Sequence, residues 1–164
     1  MEWWDETIGE RGGCAASLAR NSAAAVATVV MADGLAAVRA VRPLIVPIEV
    51  GRFVDRTLAI VRQSAPDYRL QPEVGRELFA DLRAVLDGSL TGPCGPLLFG
   101  VSSLLDIVTE GAASDLLLDI LSSTYEFVFT ATMEFPPTDE AEHVNVTCRE
   151  MIALQNRLLD EYCS

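Results

Sequence analysis

The stretch that decides the fold runs from Arg76 to Gly111 and reads RELFADLRAVLDGSLTGPCGPLLFGVSSLLDIVTEG. Its first part has apolar residues at three- and four-residue steps, which predicts an amphipathic helix. Its last part, from Pro96 to Glu110, is apolar on nearly every side. A surface helix carries one apolar stripe, so such a segment belongs at the centre of a helical bundle or in a membrane. The segment is shorter than the roughly 20 residues that span a bilayer. We therefore predict a buried central helix.

Helices are also predicted on both sides of the break at Pro66–Gln71. Apolar residues recur at helical spacing from Val50 to Val61. Pro72 is placed to open the next helix, since proline is tolerated in a first helical turn. Asp87-Gly88 is placed to close that helix, and Gly111 to close the central one.

The Ala- and Val-rich segment from Asn21 to Val41 predicts one or two further packed helices. Ser22 is a candidate N-cap and Gly34 a candidate interruption. Asp33 and Arg39 argue against insertion of this segment into a membrane.

The segment from Tyr125 to Phe135 fits two patterns. Its large side chains continue a helical face that starts at Leu118, but they also alternate strictly with polar residues, as in a half-buried strand. We favour the helix because a lone strand would have only the short run Leu44–Val46 as a partner. The fold class expected is therefore all-α, with an α+β fold as the alternative.

The C-terminal part predicts one more helix. Pro136-Pro137 interrupts the chain, and Asp139 with Glu142 three residues later resembles a capping box. Residues at helical spacing then follow from Val144 to Tyr162. No period of roughly 20 to 50 residues recurs, so a solenoid is not expected.

A single helical domain over residues 1–164 accounts for these elements. Folding at this length buries about two-thirds of the unfolded surface. Residues 1–13 leave three alternatives open: a flexible segment, a helix or strand that docks on the core, or a binding surface built on Trp3 and Trp4.

The charge of the chain restricts its partners. It carries 24 acidic and 12 basic residues, a net charge of −12, and every basic residue is arginine. Such a surface repels phosphate backbones and anionic lipid. We expect no nucleic-acid partner. The acidic N-terminus does not resemble a signal peptide, and the end NRLLDEYCS does not resemble an apolar anchor. A soluble protein without a membrane anchor is expected.

Four cysteines are scattered without a CxxC pair, which indicates neither a zinc site nor a dense disulfide framework. Reduced thiols are therefore expected.

The residues that could carry catalysis are few. His143 is the one histidine, with no nucleophile at a spacing that would pair with it. The pairs Asp106/Glu110 and Asp115/Asp119 could share a proton or a divalent cation, but helix-end solvation explains them as well. GxGxxG, P-loop, GxSxG and HExxH motifs are absent from the sequence. We expect no enzyme and no cofactor, and a metal-dependent enzyme that uses the acidic pairs is kept as an alternative.

The order of two amphipathic helices, a turn, a buried apolar helix and a further helix resembles the Bcl-2 family, in particular its adenoviral and poxviral members. Glu77-Leu78-Phe79 matches the family triplet ELF, and Gly95 falls on the family glycine. Pro93 and Cys94 stand where Asn-Trp is usual. Pro96 replaces the arginine that, in the family, pairs with an aspartate of a bound helix.

The resemblance implies a Bcl-2-like bundle that works by binding a host protein, through an amphipathic helix, in the host cytoplasm. The function implied is inhibition of innate immune (NF-κB-type) signalling or of apoptosis. Loss of the arginine favours signalling, because a charge-assisted hydrogen bond of about 1.5–3 kcal/mol would be missing. A homodimer and a small acidic α+β chaperone or adaptor stay open. The residues expected at a partner-binding groove, or else in the plain core, are Val54, Leu58, Leu78, Phe79, Leu82, Gly95 and Phe99.

Overall fold

A computed structural model describes residues 1–88, 93–111, 115–133 and 138–164, and nearly all of these residues are helical. The helices are α1 (Glu2–Thr7), α2 (Gly12–Ser17), α3 (Arg20–Val41), α4 (Ile48–Gln63), α5 (Pro72–Gly88), α6 (Cys94–Glu110), α7 (Leu116–Thr132), α8 (Asp139–Val144) and α9 (Val146–Cys163), with a 3₁₀ turn at Gly9–Arg11. The described ranges contain no strand. The all-α prediction is confirmed.

The α+β alternative is wrong for the residues that can be judged. Tyr125 to Thr132 form the second half of α7, and Leu44–Val46 forms no strand. Residues 134–137, which include Phe135 and the predicted break at Pro136-Pro137, lie outside the described residues. The exposed residues of this segment, Glu126 and Thr130, are four positions apart, as on one face of a helix and not at the alternate positions of a strand.

The core forms around α6, α7 and α3. The buried apolar side chains of α6 from Leu97 to Val108 are at most 1% exposed, and α6 packs most extensively on α7. The buried central helix is therefore confirmed. Helix α6 begins at Cys94, so Pro96 lies in its first turn, and it ends at Gly111 with φ of 79°, a conformation that glycine adopts without steric cost.

Helix α3 corrects two predictions. It begins at Arg20, after the extended residue Ala19, so Ser22 is not its N-cap. It also runs through Gly34 without interruption. A Cβ atom at this glycine would lie 2.7 Å from Thr124 Cγ2 on α7. Gly34 is thus a point of close helix packing rather than a break.

By length and composition α3 would pass as a membrane span, since its most apolar 18-residue window has a mean hydropathy of 1.7. Half of that window is buried inside the bundle, however. The core helix of a globular domain meets the same criterion, so the pattern by itself indicates no membrane insertion.

The first residues of the chain dock on the bundle. Trp4 is 3% exposed and Ile8 is fully buried. The indole nitrogen of Trp4 donates to Gln155 Oε1 on α9 at 2.8 Å. Of the alternatives for residues 1–13, the structure has the docked helix.

The predicted capping box at Asp139 is wrong. Thr138 is the N-cap residue of α8, and its hydroxyl oxygen accepts from the backbone amide of Ala141. Glu142 is instead 1% exposed, and it accepts a hydrogen bond of 2.5 Å from the Tyr125 hydroxyl. The predicted final helix is confirmed as α9.

The expectation of four reduced thiols is also wrong. Cys14 of α2 and Cys163 of α9 form a disulfide, whereas Cys94 and Cys148 are free and buried. The sequence did not indicate this pair because the two cysteines are 149 residues apart and meet only in the folded bundle.

Candidate protein-binding cleft between α6 and α7

The structure separates the seven residues that were predicted for a partner-binding groove. Four of them lie in the core, at most 4% exposed: Val54, Leu58, Leu78 and Leu82. Phe79 is half-buried against this core, and only Gly95 and Phe99 are exposed. The amphipathic stripes of α4 and α5 therefore supply packing, and a partner can reach only the last two residues without a rearrangement.

Gly95 and Phe99 line one cleft between α6 and α7. They stand one turn apart on α6, so they share a helix face. The cleft has a volume of about 340 Å³. Its lining residues are Gly95, Pro96, Phe99, Asp119, Ser122, Ser123 and Glu126.

Among the described residues, Phe99 is the most exposed phenylalanine, tyrosine or tryptophan, with 56% of its surface accessible. Its neighbours Leu98 and Gly100 are buried. A Cβ atom at Gly100 would lie 3.5 Å from Met31 Cε and 3.7 Å from Ser123 Cβ, which are ordinary contact distances, so α6 packs directly on α3 and α7 at this point. Phe99, the residue before Gly100, lies at the mouth of the cleft.

The cleft is acidic. Asp119 and Glu126 are both exposed and line it, and no cationic side chain does. Neither carboxylate takes part in an ion pair within the part of the chain that is described. Negative charge at this site is therefore not neutralised by the protein itself.

The same face of α6 continues to Asp106, two turns beyond Phe99. Partial burial raises the pKa of the Asp106 carboxyl, and the nearby Glu110 carboxylate raises it further. The raised pKa shows that the ionised form of Asp106 is disfavoured beside Glu110, on the same outer face of α6.

Sequence reasoning missed the α7 half of this cleft. Asp119, Ser122, Ser123 and Glu126 are spaced i, i+3, i+4 and i+7, which places them on one helix face. This polar stripe in an otherwise apolar helix is a signal that the sequence did contain. The ambiguity between helix and strand in this region concealed it.

Two other clefts have linings that indicate no particular class of ligand or partner. The cleft between α4 and α5, about 350 Å³, is lined by Phe53 and Val85 with charges of both signs. Its Arg56 is already held by Glu77 and Asp81, each at 2.9 Å. A cleft of about 490 Å³ between α1 and α9 is lined by residues of mixed character.

Groups that carry metal or acid–base chemistry do not converge in the described ranges. No three side chains of His, Cys, Asp or Glu there are placed to hold a metal ion. His143 is exposed, and its ring packs against Trp3 in a tilted arrangement, with the ring centroids 4.6 Å apart. Burial raises the pKa of the Cys94 and Cys148 thiols, which disfavours the reactive thiolate.

Comparison of the chain with protein-family models, curated proteins and solved structures found no match. The Bcl-2-like resemblance stays a prediction that rests on the residues quoted for it.

Proposed function

We propose that this chain is a protein-binding module whose α6–α7 cleft receives an amphipathic helix that carries apolar and basic side chains. The observation that supports this function is the exposed ring of Phe99 beside two carboxylates without a cation. Exposed aromatic rings in concave sites are typical of binding surfaces. Unpaired carboxylates at such a site favour a partner of opposite charge and disfavour an acidic one.

The sign of this charge refines the resemblance to the Bcl-2 family. Pro96, which replaces the family arginine, lines the cleft together with Asp119 and Glu126. An aspartate on a bound helix would therefore meet negative charge and no cation. A partner helix with arginine or lysine on its polar face fits better. This preference supports inhibition of host innate immune signalling in the cytoplasm over capture of pro-apoptotic helices.

Fluorescence anisotropy with two labelled helical peptides tests the proposal. Both peptides carry leucine at i, i+4 and i+7, and their polar positions hold lysine in one and glutamate in the other. We expect the basic peptide to bind more tightly, and the preference to shrink as salt is raised.

Phe99→Ala should weaken binding of the basic peptide at least about tenfold, the loss expected for an aromatic anchor. Leu86→Ala is the matched control, since Leu86 is a 49% exposed apolar residue on α5 outside the cleft. Glu126→Gln should also weaken binding, and Glu150→Gln on α9 should not. Equal binding of the two peptides, or equal effects of Phe99→Ala and Leu86→Ala, would overturn the proposal.

A pull-down from host-cell lysate then addresses the partner. Proteins that are captured by the wild-type chain and by Leu86→Ala, but lost with Phe99→Ala, are the expected partners. A captured set that is the same for all three chains would argue against a role for the cleft.

A further inference from the structure

The N-terminal arm, residues 1–17, is held on the bundle by its terminal amine, which forms an ion pair of 3.0 Å with Glu142, and at three places further along. Trp4 is hydrogen-bonded to Gln155 near the start of the arm. In its middle, Arg11 forms an ion pair of 2.8 Å with Asp160. Near its end, Cys14 forms the disulfide with Cys163. Only this last fastening is covalent.

Helix α2, which contains Cys14, packs on α7 and α9 but buries little side-chain surface. It is six residues long and reads GGCAAS. An isolated helix of this length is not stable, and glycine inside a helix costs about 1 kcal/mol relative to alanine. Ala15 is its one buried residue, and Gly12, which has no side chain, faces Leu118 of α7: a Cβ atom there would lie 3.2 Å from Leu118 Cδ2. The order of α2 therefore depends strongly on the disulfide.

Helix α1 differs in this respect. Trp4 within it and Ile8 directly after its end are buried and large. Apolar burial of this size holds a segment in place without a covalent bond. The disulfide thus matters most for α2 and for the last turn of α9, where Cys163 lies.

The two pairs of cysteines also differ in access. Cys14 and Cys163 are both partly exposed. Cys94 is 5% exposed and Cys148 is fully buried. Thiol–disulfide exchange needs an attacking thiolate to reach a sulfur atom, so a dissolved reductant can reach the bonded pair while the two free thiols are protected.

We propose that the Cys14–Cys163 disulfide is a redox-sensitive latch that, when reduced, releases α2 and the last turn of α9 while the bundle stays folded. A thiolate of a low-molecular-mass dithiol attacks one sulfur and breaks the S–S bond, which leaves a mixed disulfide. The second thiolate of the dithiol displaces the remaining cysteine. Two electrons pass to the protein, the two cysteines take up protons, and the dithiol leaves as a cyclic disulfide. Release uncovers Leu118 on α7. The latch does not depend on the function proposed for the cleft.

Hydrogen exchange of the full chain tests the latch, with short labelling pulses before and after treatment with dithiothreitol. Amides of residues 12–17 and 160–163 should exchange at least about tenfold faster once reduced, because the disulfide no longer restricts the opening of these segments. Amides of α1 should change less, and those of α6 should stay protected in the same pulses. Unchanged exchange in α2 would overturn the proposal, and so would loss of protection throughout the chain.

Two further measurements keep the test independent of the reductant. The double variant Cys14→Ser/Cys163→Ser should reproduce the reduced pattern without dithiothreitol. Gly13→Ala should slow exchange of α2 in the reduced chain, since a Cβ atom at Gly13 meets nothing within 4 Å and alanine strengthens the helix. If Gly13→Ala left the reduced α2 as fast as before, weak helix formation would not be the cause of its release.

Discussion

Replacement of Gly34 by alanine should destabilise the protein, although alanine forms helices better than glycine. Gly34 lies inside α3 and faces α7 and α9. A Cβ atom there would lie 2.7 Å from Thr124 Cγ2, 3.3 Å from Met151 Cε and 3.5 Å from Val128 Cγ2. The methionine can move away, but the branched threonine cannot rotate freely inside a helix.

The magnitude follows from two opposing contributions. Alanine in a helix interior gains about 1 kcal/mol over glycine. An extra methyl group in a packed core costs about 1–3 kcal/mol, because side chains and backbone must shift. Since real Cβ atoms do not approach a neighbour to 2.7 Å, we expect the cost to prevail, with a net loss of up to about 2 kcal/mol in the free energy of unfolding.

A double-mutant cycle isolates this contact. Thr124→Ser removes the methyl group that clashes and keeps the hydroxyl, at a cost of about 1 kcal/mol for the lost burial. In that background Gly34→Ala should become stabilising by about 1 kcal/mol, because the higher helix propensity of alanine is then no longer opposed by the contact with the threonine methyl group. Urea denaturation followed by circular dichroism measures all four chains. Gly13→Ala, at an exposed helical glycine without neighbours, is the control that should stabilise in either background.

A stable Gly34→Ala single variant would refute this reasoning. So would strict additivity of the two substitutions, since residues in contact are expected to couple by about 0.5–3 kcal/mol. Either result would mean that α3 and α7 can separate at this point without loss.

Two predictions concern the buried polar groups. Trp4→Phe should lower the free energy of unfolding by about 1–3 kcal/mol, because Gln155 Oε1 loses its donor while Gln155 stays fully buried. Trp3→Phe, at a half-buried ring, is the control. Equal losses of stability in the two variants would contradict the role of the hydrogen bond. Burial, and then a hydrogen bond to a buried carboxylate, raise the pKa of Tyr125. The unfolded chain therefore releases this proton above a pH of about 10 while the folded chain keeps it, so stability should fall with rising pH by up to about 1.4 kcal/mol per unit from this group. Tyr125→Phe should make the fall of the denaturation midpoint with rising alkaline pH shallower. Tyr162→Phe is measured as the control. If the midpoint of Tyr125→Phe fell with pH as steeply as that of the wild type, the prediction would be contradicted.

The helices were largely predictable because their signals are local. Pro72 and Gly111 mark helix ends by their own backbone restrictions, and the structure places both where the pattern indicated. The predicted interruption at Gly34 was wrong, because a glycine that allows close helix packing cannot be distinguished in a sequence from one that ends a helix. The predicted capping box was wrong for a related reason. The spacing of Glu142 from Asp139 suits a capping box, but the carboxylate of Glu142 binds the Tyr125 hydroxyl of another helix.

The candidate cleft was predictable only in part. Gly95 and Phe99 were chosen together with five other apolar residues, and nothing in the spacing distinguished the two that stay exposed. Exposure depends on which faces of α6 the neighbouring helices cover. In the folded bundle Leu97, Leu98 and Gly100 are covered, whereas Phe99 is not.

By itself the sequence determined that the chain is a helical bundle around an apolar segment, because periodicity and helix-end residues act over a few positions. It also determined an acidic surface, since charge is a sum over residues. Only the tertiary structure decided that Cys14 meets Cys163 and that Phe99 lies beside Asp119 and Glu126. Such contacts join residues that are distant along the chain, so they depend on the packing of whole helices and leave no local pattern.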